Sequence, residues 1–327
     1  MITTAKTRIG TPIVPRNKAD PTQSYRAVNK MFGDIESRYL GIKTALRSLF
    51  DQLLVGRESA SNGQATHAMH DGTIYQVNAG AFIYDMTAQQ LADLLERVQV
   101  ILDDYLLEGI GQDIWVLTYI AEEYQRGTLN AYTNLSVQSP VYEAQTTLVQ
   151  LLSSPAYQNQ IGAAYVSAYS DWKGISDKAR ADLANVIADA IGRGINPRET
   201  ASIVSKRLDV SMTQAKVIAQ TEQVGALREA QWNETEWSRE RLGLNTGLLH
   251  LSALKPTTRQ THAFWHGKVR TVAEVREWYS INGNKYHCYC SQIPAVLNDK
   301  GAIVNEGLVL RLIEEKKQWQ ADYAKAA

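Results

Sequence analysis

Ligand-type side chains crowd one stretch of this 327-residue chain, Thr261 to Cys290 (THAFWHGKVRTVAEVREWYSINGNKYHCYC). Of six histidines, His262, His266 and His287 fall there, together with both cysteines, Cys288 and Cys290. Imidazole nitrogen and thiolate sulfur are the side-chain ligands zinc prefers, and a structural site needs four in tetrahedral array. Two ligand-rich ends separated by a short insert would supply them as His262, His287, Cys288 and Cys290, with His266 as an alternative ligand. The pair is Cys-x-Cys with His287 directly before it, so the three positions cannot all turn inward on a regular strand. The competing reading is a compact turn knot in which reduced cysteines act as small hydrophobes.

The elements that must position this stretch are mostly helices. Residues 1–21 hold Pro12, Pro15 and Pro21 with Lys6, Arg8, Arg16 and Lys18, which reads as an extended basic arm, disordered or lying along a neighbouring subunit. From Thr22 apolar residues recur at helical steps until Gly56. A polar loop follows, and TIYQVNAGAFIYD reads as one β-hairpin turning at Asn78-Ala79-Gly80. Thr87 with Gln90 forms a capping box for a helix to about Leu107. Helices are expected near 112–126, 140–152 and 156–172, and Pro140 opens the second of these. Ser176 starts another that ends at Gly194, and Asn196-Pro197 starts the next, to about Leu208. Ser211 with Gln214 reads as a further capping box before a long helix to about Arg241. Then come a strand (LLHLSAL), a loop, a short strand (GKVR), a small helix capped by Thr271 and Glu274, and a last helix over 304–326. The expected fold is mainly α, with a small α+β C-terminal module at 176–303 between a helical region at 22–175 and the C-terminal helix at 304–327.

Bulk properties narrow the function. Lys+Arg and Asp+Glu are both 34, whereas a dedicated nucleic-acid binder is usually basic overall. Asp85 to Glu123 carries nine acids against Arg97 alone, an acidic face suited to docking or to plain solvation. Two cysteines give no disulfide framework, and a bridge across one residue would be strained. MITTAKTRIGTPIVPR lacks the apolar core of a signal peptide, and no run approaches the roughly 18 apolar residues of a membrane span. The chain is thus expected in a reducing cytoplasm or in a particle assembled there.

ETASIVSKRLDVSMTQAKVIAQ has the turn length of a helix-turn-helix, yet its second helix opens with few base-reading groups, and simple helix packing accounts for it as well. Along the same stretch, Glu222 follows Ile218 and Ala219 by one turn and so points partly at protein. There it needs a donor such as Arg228, Arg259 or the backbone of the knot. IAQTEQVGALREAQ, followed by LLHLSAL, TTRQTHAFWHGKV and KYHCYCSQIPAV in that order, closely resembles the signature of the Mu F-like phage head morphogenesis (minor head, or minor capsid) family. On that resemblance Thr221, Glu222, Arg259, His262, Gly267, His287, Cys288 and Cys290 hold signature positions. Four departures stand out: His266 replaces the Asp before the Gly, the Pro-rich lead-in to the cysteines is missing, Tyr289 replaces the Arg between them, and the His-to-Cys spacing is shortened. The resemblance covers about residues 180–295. It implies a non-enzymatic virion component inside the head near the portal, present in several copies. Its partners would be portal protein, major capsid protein or packaged double-stranded DNA, and zinc could be its cofactor. The alternative is a metal-dependent nuclease or hydrolase using His262, His266, His287 and Glu222, although few carboxylates lie near the cluster.

Overall fold

A computed structural model describes residues 9–58, 66–70, 73–77, 82–108 and 114–326. Helix dominates, as expected for a mainly α chain with a small α+β C-terminal region. In order the elements are α1 (Tyr25–Leu53), β1 (Gly56–Glu58), β2 (Thr66–His70), β3 (Thr73–Val77), β4 (Phe82–Tyr84), α2 (Ala88–Leu106), α3 (Val116–Gln138), α4 (Pro140–Gln145), α5 (Leu148–Leu152), α6 (Pro155–Arg193), α7 (Pro197–Leu242), β5 (Thr246–Leu251), α8 (Gln260–Trp265), β6 (Val269–Arg270), α9 (Val272–Ser280), β7 (Ser291–Val296) and α10 (Glu306–Ala326).

These elements form two compact units. One takes residues up to 31, 117–166 and 217 onward; the other takes 32–116 and 167–216. In the second unit, Ile35, Ile42, Leu46, Leu94, Val98, Leu102, Leu183 and Ile187 are all fully buried, the apolar stripes that three- and four-residue spacing announces. Thr87 and Gln90 make the expected capping box. The hairpin is a correction. β3 pairs back onto β2 and β4 pairs with β1, so the TIYQV and FIY runs do not pair with each other. The expected turn at 78–80 lies outside the described residues. A run of alternating residues identifies strands but does not choose their partners.

Two helix boundaries also fail. α6 runs through Ser176 without a break, and the Ser176 hydroxyl donates to Asp103 Oδ1 at 2.6 Å. α7 runs 46 residues through Ser211, whose hydroxyl bonds Tyr39 Oη at 2.8 Å. Each serine was read as a cap, but a capping signal works only where the helix has ended, and here tertiary partners take the hydroxyls. One continuous helix leaves no helix-turn-helix at 197–241. Gly194 and Gly243 do end α6 and α7 with φ of +62° and +65°, a left-handed conformation that costs glycine least.

The unit that holds the ligand stretch is built on a three-stranded antiparallel sheet, ordered β6-β5-β7, with Leu249 opposite Ile293 and Leu248 opposite Pro294. Every residue of β5 and β7 is buried, so both sheet faces are covered. Leu249, Leu251, Ile293 and Ala295 pack with Leu308 and Leu312 of α10 on one face. Leu248 turns to the other, with Trp232, Val272, Val275, Tyr279, Cys288 and Cys290. The arm corrects its expectation too. Residues 9–21 lie on their own chain: Asn134 of α3 holds both the amide and the carbonyl of Ile13 at 3.0 Å, and the Gly10 amide donates to Gln138 O. A proline-rich segment with few internal bonds has free backbone groups, and α3 offers partners for them.

Candidate metal centre

His262, Cys288 and Cys290 come together. Their ligand atoms lie within 4.8 Å of one another, and all three residues are buried. His262 sits on α8, whose start is fixed by Arg259, and its Nδ1 is 3.4 Å from Cys288 Sγ and 3.5 Å from Cys290 Sγ. The cysteines leave the turn after α9 just before β7 begins, and both reach the same side of the sheet. His287 does not join them. It is exposed and takes φ +51°, a left-handed kink that lets Cys288 turn inward while its predecessor stays outside. His266 is also elsewhere: its Nδ1 accepts the Ser252 amide at 3.0 Å and its Nε2 lies 3.5 Å from Glu315 of α10. The expected set of four thus reduces to three, because adjacent residues cannot converge on one point.

The signature positions serve the same knot by other means. The Arg259 guanidinium donates to the carbonyls of Gly283, Asn284 and Tyr286 at 2.8–3.1 Å, stapling the turn that delivers the cysteines. Gly267 takes φ +76°, and a Cβ there would stand 3.1 Å from Leu312 Cβ. Thr221 spends its hydroxyl on Val217 O, within α7. Glu222 is half-buried on the same helix. Arg228 and Arg259, both considered as its donors, are instead engaged with carbonyls of the knot.

Arg228 is the residue whose role the sequence hid. Its side chain is 1% exposed and donates to Cys290 O (2.9 Å), Cys288 O (2.8 Å) and Cys288 Sγ (3.1 Å). It also stacks 4.5 Å from the Tyr279 ring centroid. Burying a guanidinium without a counter-charge is costly, and the adjacent anion is sulfur. Burial would raise the Cys288 thiol, but its bond with Cys290, the Arg228 charge and His262 outweigh that and hold it well below the ordinary thiol range. The hydrogen bond to Cys288, with burial, pushes Cys290 the other way. Cys288 is thus the more acidic thiol of the two. The one signal in the sequence was position: Arg228 lies seven residues after Thr221, on the same helix face.

The fit to a metal follows from these distances. Zinc bonds of roughly 2.3 Å to sulfur and 2.0–2.1 Å to nitrogen, set tetrahedrally, separate nitrogen from sulfur by about 3.5 Å, which matches 3.4 and 3.5 Å. Two sulfurs and one imidazole suit zinc, and among the described residues no carboxylate belongs to the group. Behind the knot, Trp265 and Trp278 stack at 4.7 Å, and Trp278 meets the His262 ring edge-on at 4.6 Å.

Residues 181–293 match the family described as Phage Mu protein F like protein. Neither the curated proteins nor the solved structures gave a match. The Mu F like match takes in the end of α6, then α7, β5, α8, β6, α9 and the first half of β7. It leaves out α10, which covers one sheet face, and α3, whose Gln138 side chain bonds Val296 N at 2.8 Å and Pro294 O at 3.0 Å along β7. The family is a structural phage one, which points to head morphogenesis or a minor capsid role.

Proposed function

We propose that this chain is a minor head protein of a phage particle. In this reading the helical region at 22–175 docks on the portal or on the inner face of the major capsid shell, and the Mu F like module is a folding clamp, not a catalyst. The single observation that carries it is the Mu F like match at 181–293, whose knot is a closed, buried structure. His262, Cys288 and Cys290 would hold a zinc ion, with a water or another group completing four. The metal would supply folding free energy to a module with little sheet. Three protein ligands with a fourth position left open is also the layout of catalytic zinc; what favours structure is that among the described residues no carboxylate joins the cluster to serve as a general base. Zero net charge and the acidic run at 85–123 favour protein partners, with packaged DNA a lesser contact. The chain would sit in the head interior near the portal, in several copies.

The test is co-purification with the portal protein of the same phage. Association that disappears when residues 1–60 are removed supports the assignment. Indifference to both portal and major capsid protein ends it. Elemental analysis addresses the metal separately: one zinc per chain, lost in Cys288→Ser and Cys290→Ser, is the expected result, while metal-free, fully folded protein removes zinc from the proposal and leaves the Arg228–Cys288 pair as the clamp.

A further inference from the structure

A half-open pocket lies in the same unit, between α3, the α4–α6 segment and α7. Its volume is about 300 Å³, within the lower range of small-ligand pockets. Glu234 of α7 lines it and is 5% exposed. Its Oε1 accepts the Tyr142 hydroxyl at 2.5 Å. Among the described residues that is its one hydrogen-bond partner, and no Lys or Arg pairs with it or lines the space. Arg276 of α9, which reaches α7 one residue away at Asn233, is already shared by Glu229, Asn233 and Glu236 at 2.5–3.0 Å.

A buried carboxyl costs folding free energy unless something stabilises its charge. The Tyr142 bond does not account for the cost, since a glutamine would accept it equally well and carry no charge. The rest of the wall shows what would. Tyr157 and Trp237 bring aromatic rings, whose faces attract cations. Gln145 brings a side-chain amide whose carbonyl oxygen accepts N–H donors, whereas the carbonyl oxygens of Gln150 and Gln160 already accept from Thr147 and from the Tyr124 hydroxyl. We propose that this cavity binds an organic cation, an alkylammonium or guanidinium group, with the Glu234 carboxylate as its counter-charge and Tyr157 and Trp237 as its walls. The group could belong to a free small amine or to a lysine or arginine side chain of an associated protein. Both present the same chemistry to the site.

The experiment uses the full chain at pH 7.5, with binding followed by NMR shifts of the tryptophan indole N–H groups. The probes are n-butylammonium, n-butylguanidinium, neutral n-butanol, and the acetyl-methylamides of lysine and arginine. At least one cationic probe should bind tenfold or more tightly than n-butanol. Glu234→Gln should weaken that probe at least tenfold, and Trp237→Leu several-fold. If the capped amino acids bind as well as the simple cations, the source is a protein side chain; if only the simple cations bind, it is a free amine. Cations that bind no better than n-butanol overturn the proposal, as does a folded Glu234→Gln protein with unchanged affinity. Were Glu234→Gln to unfold, Trp237→Leu decides by the same criterion.

Discussion

Two buried charges in the Mu F like region behave in opposite ways. Arg228 is matched: its guanidinium has the Cys288 sulfur and two carbonyls. Removing one member of a buried charged pair strands the other, and costs of about 3–5 kcal/mol are usual. Arg228→Met should therefore lose about 3 kcal/mol in urea unfolding, the lower end because Cys288 can take up a proton. Adding Cys288→Ala to that variant should cost less than the sum of the two single losses, a coupling that a double-mutant cycle reads directly. Glu234 is unmatched, and burial raises its carboxyl to about 6 against an opposing Tyr142 bond. A raised acid stabilises the fold while protonated. That contribution is full below about pH 4.5 and is lost as pH rises through about 6. Stability of the native chain measured from pH 4.5 to 7 should carry this loss, and Glu234→Gln should flatten that part of the profile. Unchanged curvature in the variant would show that other groups set it.

At the scale of elements, α7 governs the unit with the sheet. From Ala219 to Thr235 it is buried on nearly every side, as a helix threading an interior must be. Its neighbour α3 approaches closely at Gly127, where a Cβ would lie 2.3 Å from Leu227 O and 2.9 Å from Ala230 Cβ. Gly127→Ala gains helix propensity of up to about 1 kcal/mol but forces two backbones apart, which typically costs 1–3 kcal/mol; a net loss of about 1 kcal/mol or more in thermal unfolding is expected. Gly162 in α6 is the control. A Cβ there meets nothing within 4 Å, so Gly162→Ala should stabilise by about 0.5–1 kcal/mol. Equal effects at the two sites would show that the α3–α7 approach is looser than described.

For the whole molecule, the matched segment lacks part of its own core. The sheet at its centre is covered by Leu308 and Leu312 of α10, and Val296 packs with Leu135 of α3 and Tyr142 of α4. These partners lie outside 181–293. An isolated 181–293 fragment should bury too little apolar surface to fold uniquely, giving poorly dispersed amide NMR signals and weak near-ultraviolet dichroism. The same measurements on the full chain should show well-dispersed amide signals and strong near-ultraviolet dichroism. A well-dispersed fragment spectrum would mean that α3 and α10 are dispensable.

The sequence by itself determined what local physics controls. Capping boxes at Thr87 and Thr271, Pro140 at a helix start, and the glycines at 194 and 243 all stood in the chain as they stand in the structure. So did the clustering of His262 with the cysteines, legible from residue type and order alone. Tertiary structure decided whatever depends on partners distant in sequence. It paired β1 with β4 around β2 and β3, and it carried α6 and α7 through serines that would cap an isolated helix. It laid Gly10 and Ile13 on α3, turned His287 out of the cluster, and brought Arg228 to a sulfur sixty residues away. The reason is common to all of these. Strand partners, hydroxyl acceptors and counter-charges are chosen by which groups burial brings together, and a pattern of types along one strand or helix does not specify the element that packs against it.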